Sequence, residues 1–247
     1  MTREPDVTLT RTDVHLWFAS SSKDGGERRS LREHESVLSA EERHRADQFY
    51  FAEDRAQFVT ARSLLRRCLS RYAGIAPSEW EFEFNDFGKP TVHRRLGLDL
   101  DFNLSHSQGM CMLGIARERP IGVDVEQRDA RISLPDLIHK VMSETEVEEL
   151  RGLPSRAWKS RFMDLWVCKE AYTKARGQGI SLPLRDISFL FPSGRTPRLV
   201  LKPSLGDRPE NWLCDFVEVP GAFHAAVCIG RRRGEELRLV VREPAQP

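Results

Sequence analysis

The clearest hydrophobic pattern in the chain lies at residues 162–179, FMDLWVCKEAYTKARGQG, where apolar positions recur on nearly every side of a helix. At roughly 100° per residue, Trp166, Glu170 and Lys174 advance about 40° at each four-residue step and form one ridge, with Lys169 at its border. Met163 and Val167 lie beside Glu170, and Phe162, Leu165, Cys168, Tyr172 and Ala175 fill the other side. A helix apolar nearly all round is a buried helix, and Lys and Glu are almost never fully buried unless paired. These charges therefore need partners.

The rest of the chain reads as alternating strands and capped helices. Val14, Leu16 and Phe18 mark a first strand, and the polar run 20–30, with Gly25 and Gly26, a loop. Ser39 precedes Glu42 by three residues, a capping box that opens a long helical stretch through Phe49, Phe58, Leu64, Leu65 and Leu69 to Gly74. Residues 80–84 alternate as a strand and enter a turn at 85–90; residues 101–105 and 110–116 are two further strands joined at Ser107, Gln108 and Gly109. After Pro120 the order restarts. Ile121, Val123 and Val125 form a strand, Ser143 and Glu146 a second capping box, and the helix ending at Gly177 and Gly179 follows, with strands at 187–191, 198–201, 212–219 and 223–229. LSAEE at 38–42 parallels MSETE at 142–146, and CMLGIA at 111–116 parallels AAVCIG at 225–230. A shared α+β plan would give the same likeness, but the repeated order favours two similar halves, 1–119 and 120–247, with a ligand at the seam between them.

Composition narrows the field. The 247 residues are 40% hydrophobic and 30% charged, and 38 basic against 37 acidic residues leave a formal charge of +1, so no global polyelectrolyte attraction to nucleic acid is on offer. There is no secretory h-region and no run of eighteen apolar residues, which points to no membrane span and a cytoplasmic protein. The five cysteines, at 68, 111, 168, 214 and 228, make no C-x-x-C pair and read as reduced thiols, with neither a disulfide framework nor a zinc site. G-x-G-x-x-G, Walker, G-x-S-x-G and H-E-x-x-H patterns are all missing.

The candidate chemistry starts with Asp124 and Glu126, two apart on a strand and so on one face, about 6.6 Å apart along it. At an effective dielectric near 20 they repel by roughly 2.5 kcal/mol. The pair is either a solvated strand face or a cation site; oxygen donors with room for water and phosphate suit Mg2+, with Glu170 as third ligand. Glu170 and Lys174 could also form a plain i,i+4 salt bridge, although that pairing belongs on an exposed face. Ser105 and His106 end a strand as a plausible phosphate or carbonyl contact, or as structural groups. Lys89 sits in a turn, Arg62, Arg66 and Arg67 on a helix surface, and Arg231 to Arg233 take no role.

Together GKP at 88–90, FNLSHS at 102–107, IGVDVE at 121–126 and LWVCKEAYTKARGQGISLPL at 165–184 resemble the ordered motifs of the Sfp-type 4′-phosphopantetheinyl transferases. The likeness runs from about residue 38 to 189. It implies two α+β halves related by a pseudo-twofold, a pseudo-dimer with coenzyme A (CoA) and the active site at their interface. It also implies transfer of the phosphopantetheine arm to a serine of an apo acyl or peptidyl carrier protein, releasing adenosine 3′,5′-bisphosphate. On the matching positions, Asp124, Glu126 and Glu170 correspond to magnesium ligands, and Lys169 and Lys174 to lysines of the diphosphate. Ser105 and His106 correspond to CoA phosphate contacts, Lys89 and Arg66 to basic residues near its adenine and 3′-phosphate, and Trp166 to packing beneath the group. Glu170, a metal-bound water or Glu146 would take the serine proton; Glu146 equally reads as the capping partner of Ser143. Where the family often carries a basic residue this chain has Glu42, and Arg45 is the expected substitute. The expected protein is a monomer. Another CoA- or nucleotide-dependent transferase and a non-catalytic carrier-binding module are the alternative readings.

Overall fold

In the computed structural model, which describes residues 5–20, 27–129, 134–192 and 194–242, the first period-two run is strand β1 (Asp13–Ser20). Of the loop expected over 20–30, residues 21–26 lie outside the described residues, and Glu27–Glu35 is helix α1 instead. Its Leu31 packs against Leu38, Ala46 and Val59, one apolar anchor in a polar sequence and too little for a periodic signal. The long stretch after Ser39 is two helices, α2 (Ala40–Asp47) and α3 (Ala52–Ser70), separated where Phe51 turns to extended backbone at φ −94° and ψ 135°. Strands β2 (Phe82–Phe84) and β3 (Pro90–Val92) form one hairpin, and β4 (Leu100–Ser107) and β5 (Met110–Arg117) another. Trp80 stands outside β2 because its buried indole donates to Ser70 Oγ at 2.8 Å.

The second series is β6 (Ile121–Gln127), α4 (Leu134–Val141), α5 (Glu144–Arg151), α6 (Ser155–Arg176), β7 (Ile187–Leu190), β8 (Arg198–Leu201), β9 (Trp212–Phe216) and β10 (Phe223–Gly230), followed by β11 (Arg238–Arg242). Helix α6 begins at Ser155, well before the apolar run that announces it, and α4 and β11 are additions to the sequence reading. The fold class is α+β.

The chain folds as two compact units. The first comprises Met1–Glu83, Pro90–Glu118 and Leu237–Pro247. Its sheet has the order β11-β1-β5-β4, with β11 parallel to β1 and the other pairs antiparallel. Trp17, Leu65, Phe102 and Leu113 are fully buried in its core. The second unit comprises Phe84–Lys89 and Arg119–Glu236, with an antiparallel sheet β6-β10-β9, a β7-β8 hairpin and α6 against β6 and β10. These units differ from a division by chain position at 119 in two places. Leu237–Pro247 joins the first unit because β11 pairs with β1, and Phe84–Lys89 joins the second because Asn85 and Lys89 bond to α6.

Register places Cys214 of β9 opposite Cys228 of β10, with Cα atoms 4.2 Å apart, so their sulfurs lie side by side, while Cys68, Cys111 and Cys168 are free and buried. A separation of fourteen residues carries no sign of this; only strand pairing brings the thiols together. Among the described residues no helix is long and apolar enough to cross a membrane.

Candidate active site

Gly122 sets the distance between β6 and α6. A Cβ there would lie 2.0 Å from Ala171 O and 2.3 Å from Ala175 N, so the helix backbone rests directly on the strand. Because strand side chains alternate, Asp124 and Glu126 share the Gly122 face and point to the helix side. That answers the question of a solvated strand face: Asp124 is only 3% exposed. Lys174, one turn beyond Glu170 on α6, donates to Asp124 Oδ1 at 2.5 Å. Lys174 therefore makes a tertiary bond to the strand while standing one turn from Glu170 on its own helix.

Burial raises the pKa of Glu170, Lys174 opposes that rise, and the negative charges of Asp124 and Glu126 add to it. Three carboxylates therefore share one electrostatic neighbourhood beside one ammonium. Hard oxygen donors of this kind fit Mg2+. Among the described residues no three His, Cys, Asp or Glu side chains are drawn together as a ready-made metal site, and Lys174 supplies the positive charge that Asp124 receives here. Trp166 is half-buried on the same ridge and stacks on Phe162 with centroids 6.3 Å apart.

Lys169 does not face this group. It is fully buried, 2.7 Å from Glu146 Oε2, and donates to Leu184 O at 2.8 Å and to Ile187 O. Glu146, equally buried, also accepts Ser143 N at 2.8 Å and Phe189 N at 2.9 Å. All three ammonium hydrogens are committed. Lys169, expected at the diphosphate, and Glu146, expected as a proton acceptor, here form a buried strut tying α5 and β7 to α6.

Arg66 is engaged in the same way. At 2% exposure it donates to Glu42 Oε2 at 2.6 Å, Pro77 O at 2.9 Å and Trp80 O at 3.0 Å. Glu42 also takes Arg62 Nε at 2.8 Å and Ser39 N at 3.0 Å, so an acidic residue at this position serves the core of its unit. Arg45 is exposed, its guanidinium 5.5 Å from the Phe58 ring centroid. On β4 Ser105 is buried, and exposed His106 meets Gln57 Nε2 through Nδ1 at 3.0 Å. Lys89 donates to Ile121 O at 3.0 Å and Ala175 O at 3.2 Å.

One pair near the site escaped sequence reasoning. His224 lies opposite Glu126 in the β10–β6 register, and its Nδ1 is 2.7 Å from Asp164 Oδ1 on α6. No local spacing could reveal it, since sixty residues separate the two.

Residues 120–228 match the 4′-phosphopantetheinyl transferase superfamily, and residues 27–118 match 4′-phosphopantetheinyl transferase, N-terminal. The chain is 35% identical over 203 residues to the 4′-phosphopantetheinyl transferase HetI of Nostoc sp., covering 82% of this chain and 84% of that protein. It is 32% identical over 194 residues to the 4′-phosphopantetheinyl transferase Sfp of Bacillus subtilis, covering 78% and 82%. Among solved structures, a holo-[acyl-carrier-protein] synthase of Thermotoga maritima is 19% identical, with 46% of this chain and 64% of that chain covered and a TM-score of 0.38.

Proposed function

The chain belongs to the 4′-phosphopantetheinyl transferase superfamily, and on that premise we propose that it moves the phosphopantetheine arm of CoA to a serine hydroxyl of an apo acyl or peptidyl carrier protein. The serine oxygen forms a bond to the phosphorus nearest the pantetheine, the bridging P–O bond breaks, and adenosine 3′,5′-bisphosphate departs with that oxygen. The nucleophile comes from the carrier, so this chain needs charge and alignment instead of a serine or cysteine of its own.

The observation that carries the reading is the placement of Asp124 on β6 within reach of Lys174 on α6, with Glu126 and Glu170 in the same electrostatic neighbourhood. Asp124, Glu126 and Glu170 would hold Mg2+, which supplies charge neutralisation at the diphosphate when bound. Lys174 can turn from Asp124 to the diphosphate once the carboxylates have another counter-charge. Glu170 or a metal-bound water is the group we assign to receive the serine proton. Arg45, Ser105 and His106 are our candidates for CoA contacts. Lys89, Lys169, Arg66 and Glu146 are scaffold in this reading, because their polar atoms are engaged inside their own units. We further assign a monomer in the cytoplasm, where CoA is available.

The deciding experiment is the mass of an apo-carrier domain after incubation with the protein, CoA and Mg2+. A phosphopantetheine adduct, with adenosine 3′,5′-bisphosphate in the supernatant, is expected; an unmodified carrier in a reaction that a known transferase completes would overturn the proposal.

A further inference from the structure

The turn Phe84–Lys89 is bonded to the carboxyl end of α6 in a way the transfer reaction does not by itself require. Asn85 Oδ1 accepts from Phe87 N at 3.0 Å and from Lys89 N at 2.9 Å, which closes the turn. Its Nδ2 donates to Gly177 O at 2.7 Å. Gly177 is the left-handed cap of α6 at φ +68°, and a Cβ there would stand 3.0 Å from Asn85 Nδ2 and 3.1 Å from Lys89 Cδ. Lys89 adds bonds to Ile121 O and Ala175 O, the first on β6 next to Gly122 and the second on α6 next to Lys174. Turn, strand and helix end therefore fix one another at the point where strand and helix approach most closely.

We propose that Asn85 is a positioning residue for transfer: by holding the cap of α6 through Gly177 O, it sets Lys174 against Asp124 across the β6–α6 gap. This rests on the reading of Lys174 and Asp124 as active-site groups. The last carbonyls of a helix have no intrahelical donor, so an external donor here fixes where the final turn ends. Lys174 lies in that final turn, and its ammonium reaches Asp124 at 2.5 Å. Misplacement of a reacting constellation by about 1 Å can cost on the order of 100-fold in rate, so a distant amide can matter to turnover without touching substrate.

Two variants test the effect. Asn85→Asp keeps both acceptor bonds of the turn but sets a charged, repelling oxygen in place of the donor to Gly177 O, and Asn85→Ala removes the side chain without adding charge; loss of that donor is the change the two share, and both are expected to lower kcat. The full-length chain is tested as a cycle of Asn85→Asp, Lys174→Gln and the double variant, with kcat read at saturating CoA, Mg2+ and apo-carrier. We expect Asn85→Asp to lower kcat by about 10-fold or more with KM for CoA changed less than about twofold, and to cost less than about twofold in the Lys174→Gln background, as coupled residues do. In the ligand-free protein, hydrogen exchange at the amides of 174–177 should quicken by about 10-fold. Wild-type kcat for either Asn85 variant, equal losses in both backgrounds, or unchanged exchange overturns the proposal. A Lys174→Gln enzyme with full kcat removes the premise instead, and that single variant separates the two failures.

Discussion

At the scale of single residues, two groups of buried charge have opposite duties. Asp124 on β6 and Glu170 on α6 are the groups we propose for the reacting site, where lost charge complementarity would act on the transition state. Asp124→Ala or Glu170→Gln should lower kcat by on the order of 100-fold, about 3 kcal/mol, with folding intact by circular dichroism. Near-normal transfer by Asp124→Ala at saturating Mg2+ would sink the metal assignment. Lys169 is a matter of stability. Lys169→Met leaves Glu146 charged in a dry site, and the expected loss is about 3–5 kcal/mol in urea unfolding. Adding Glu146→Gln should cost much less than it does alone, because the two form one buried unit. Additive losses would contradict the strut. The shared face of Asp124 and Glu126 was legible from spacing, as was the ridge of Trp166, Glu170 and Lys174, since i,i+2 on a strand and i,i+4 on a helix fix shared faces. The partner of Lys169 was not, because Glu146 stands on another helix and only packing brings it to 2.7 Å.

At the scale of elements, each unit carries the same clamp. In one, the capping-box residue Glu42 holds Arg66 of the next long helix, and Arg66 holds the carbonyls of Pro77 and Trp80. In the other, Glu146 holds Lys169, and Lys169 holds those of Leu184 and Ile187. The S-x-x-E signature marks the start of a short helix, and in both units its glutamate also carries a tertiary duty that the local pattern does not announce. The most demanding contact between elements is Gly122 on α6. Gly122→Ala has no room, since the nearest atoms are helix backbone, so strand and helix must separate. A loss of about 1–3 kcal/mol in denaturant unfolding is expected, with transfer activity falling further than stability because Asp124 and Lys174 move apart. Wild-type stability and activity for Gly122→Ala would show that this close approach is not needed.

For the whole molecule, several buried or bridged groups make acid the vulnerable side. Burial pulls the imidazole of His15 down to about 4 from 6.5, so the unfolded chain takes the proton first and stability declines as pH falls from about 6.5 to about 4. Bonds from Arg238 and Arg119 hold Asp13 and Glu235 at about 2, against ordinary values of 3.8 and 4.5, so their contribution is present above those values and lost as pH falls toward 2. Thermal unfolding between pH 7 and 3 should show a melting temperature falling in both windows, with Glu235→Gln flattening the lower one; a constant value from pH 6.5 to 4 would contradict the buried neutral His15. By itself the sequence determined the α+β class, two capping boxes, the apolar helix around Glu170 and the order of motifs that marks the family, because these are written in residues a few positions apart. Only the tertiary structure decided that Lys169 pairs with Glu146 and Arg66 with Glu42, that β11 returns to β1, that Cys214 meets Cys228, and that Asn85 holds the end of α6. Each of those depends on contacts between residues distant in the chain, where strand register and close packing, not local spacing, choose the partner.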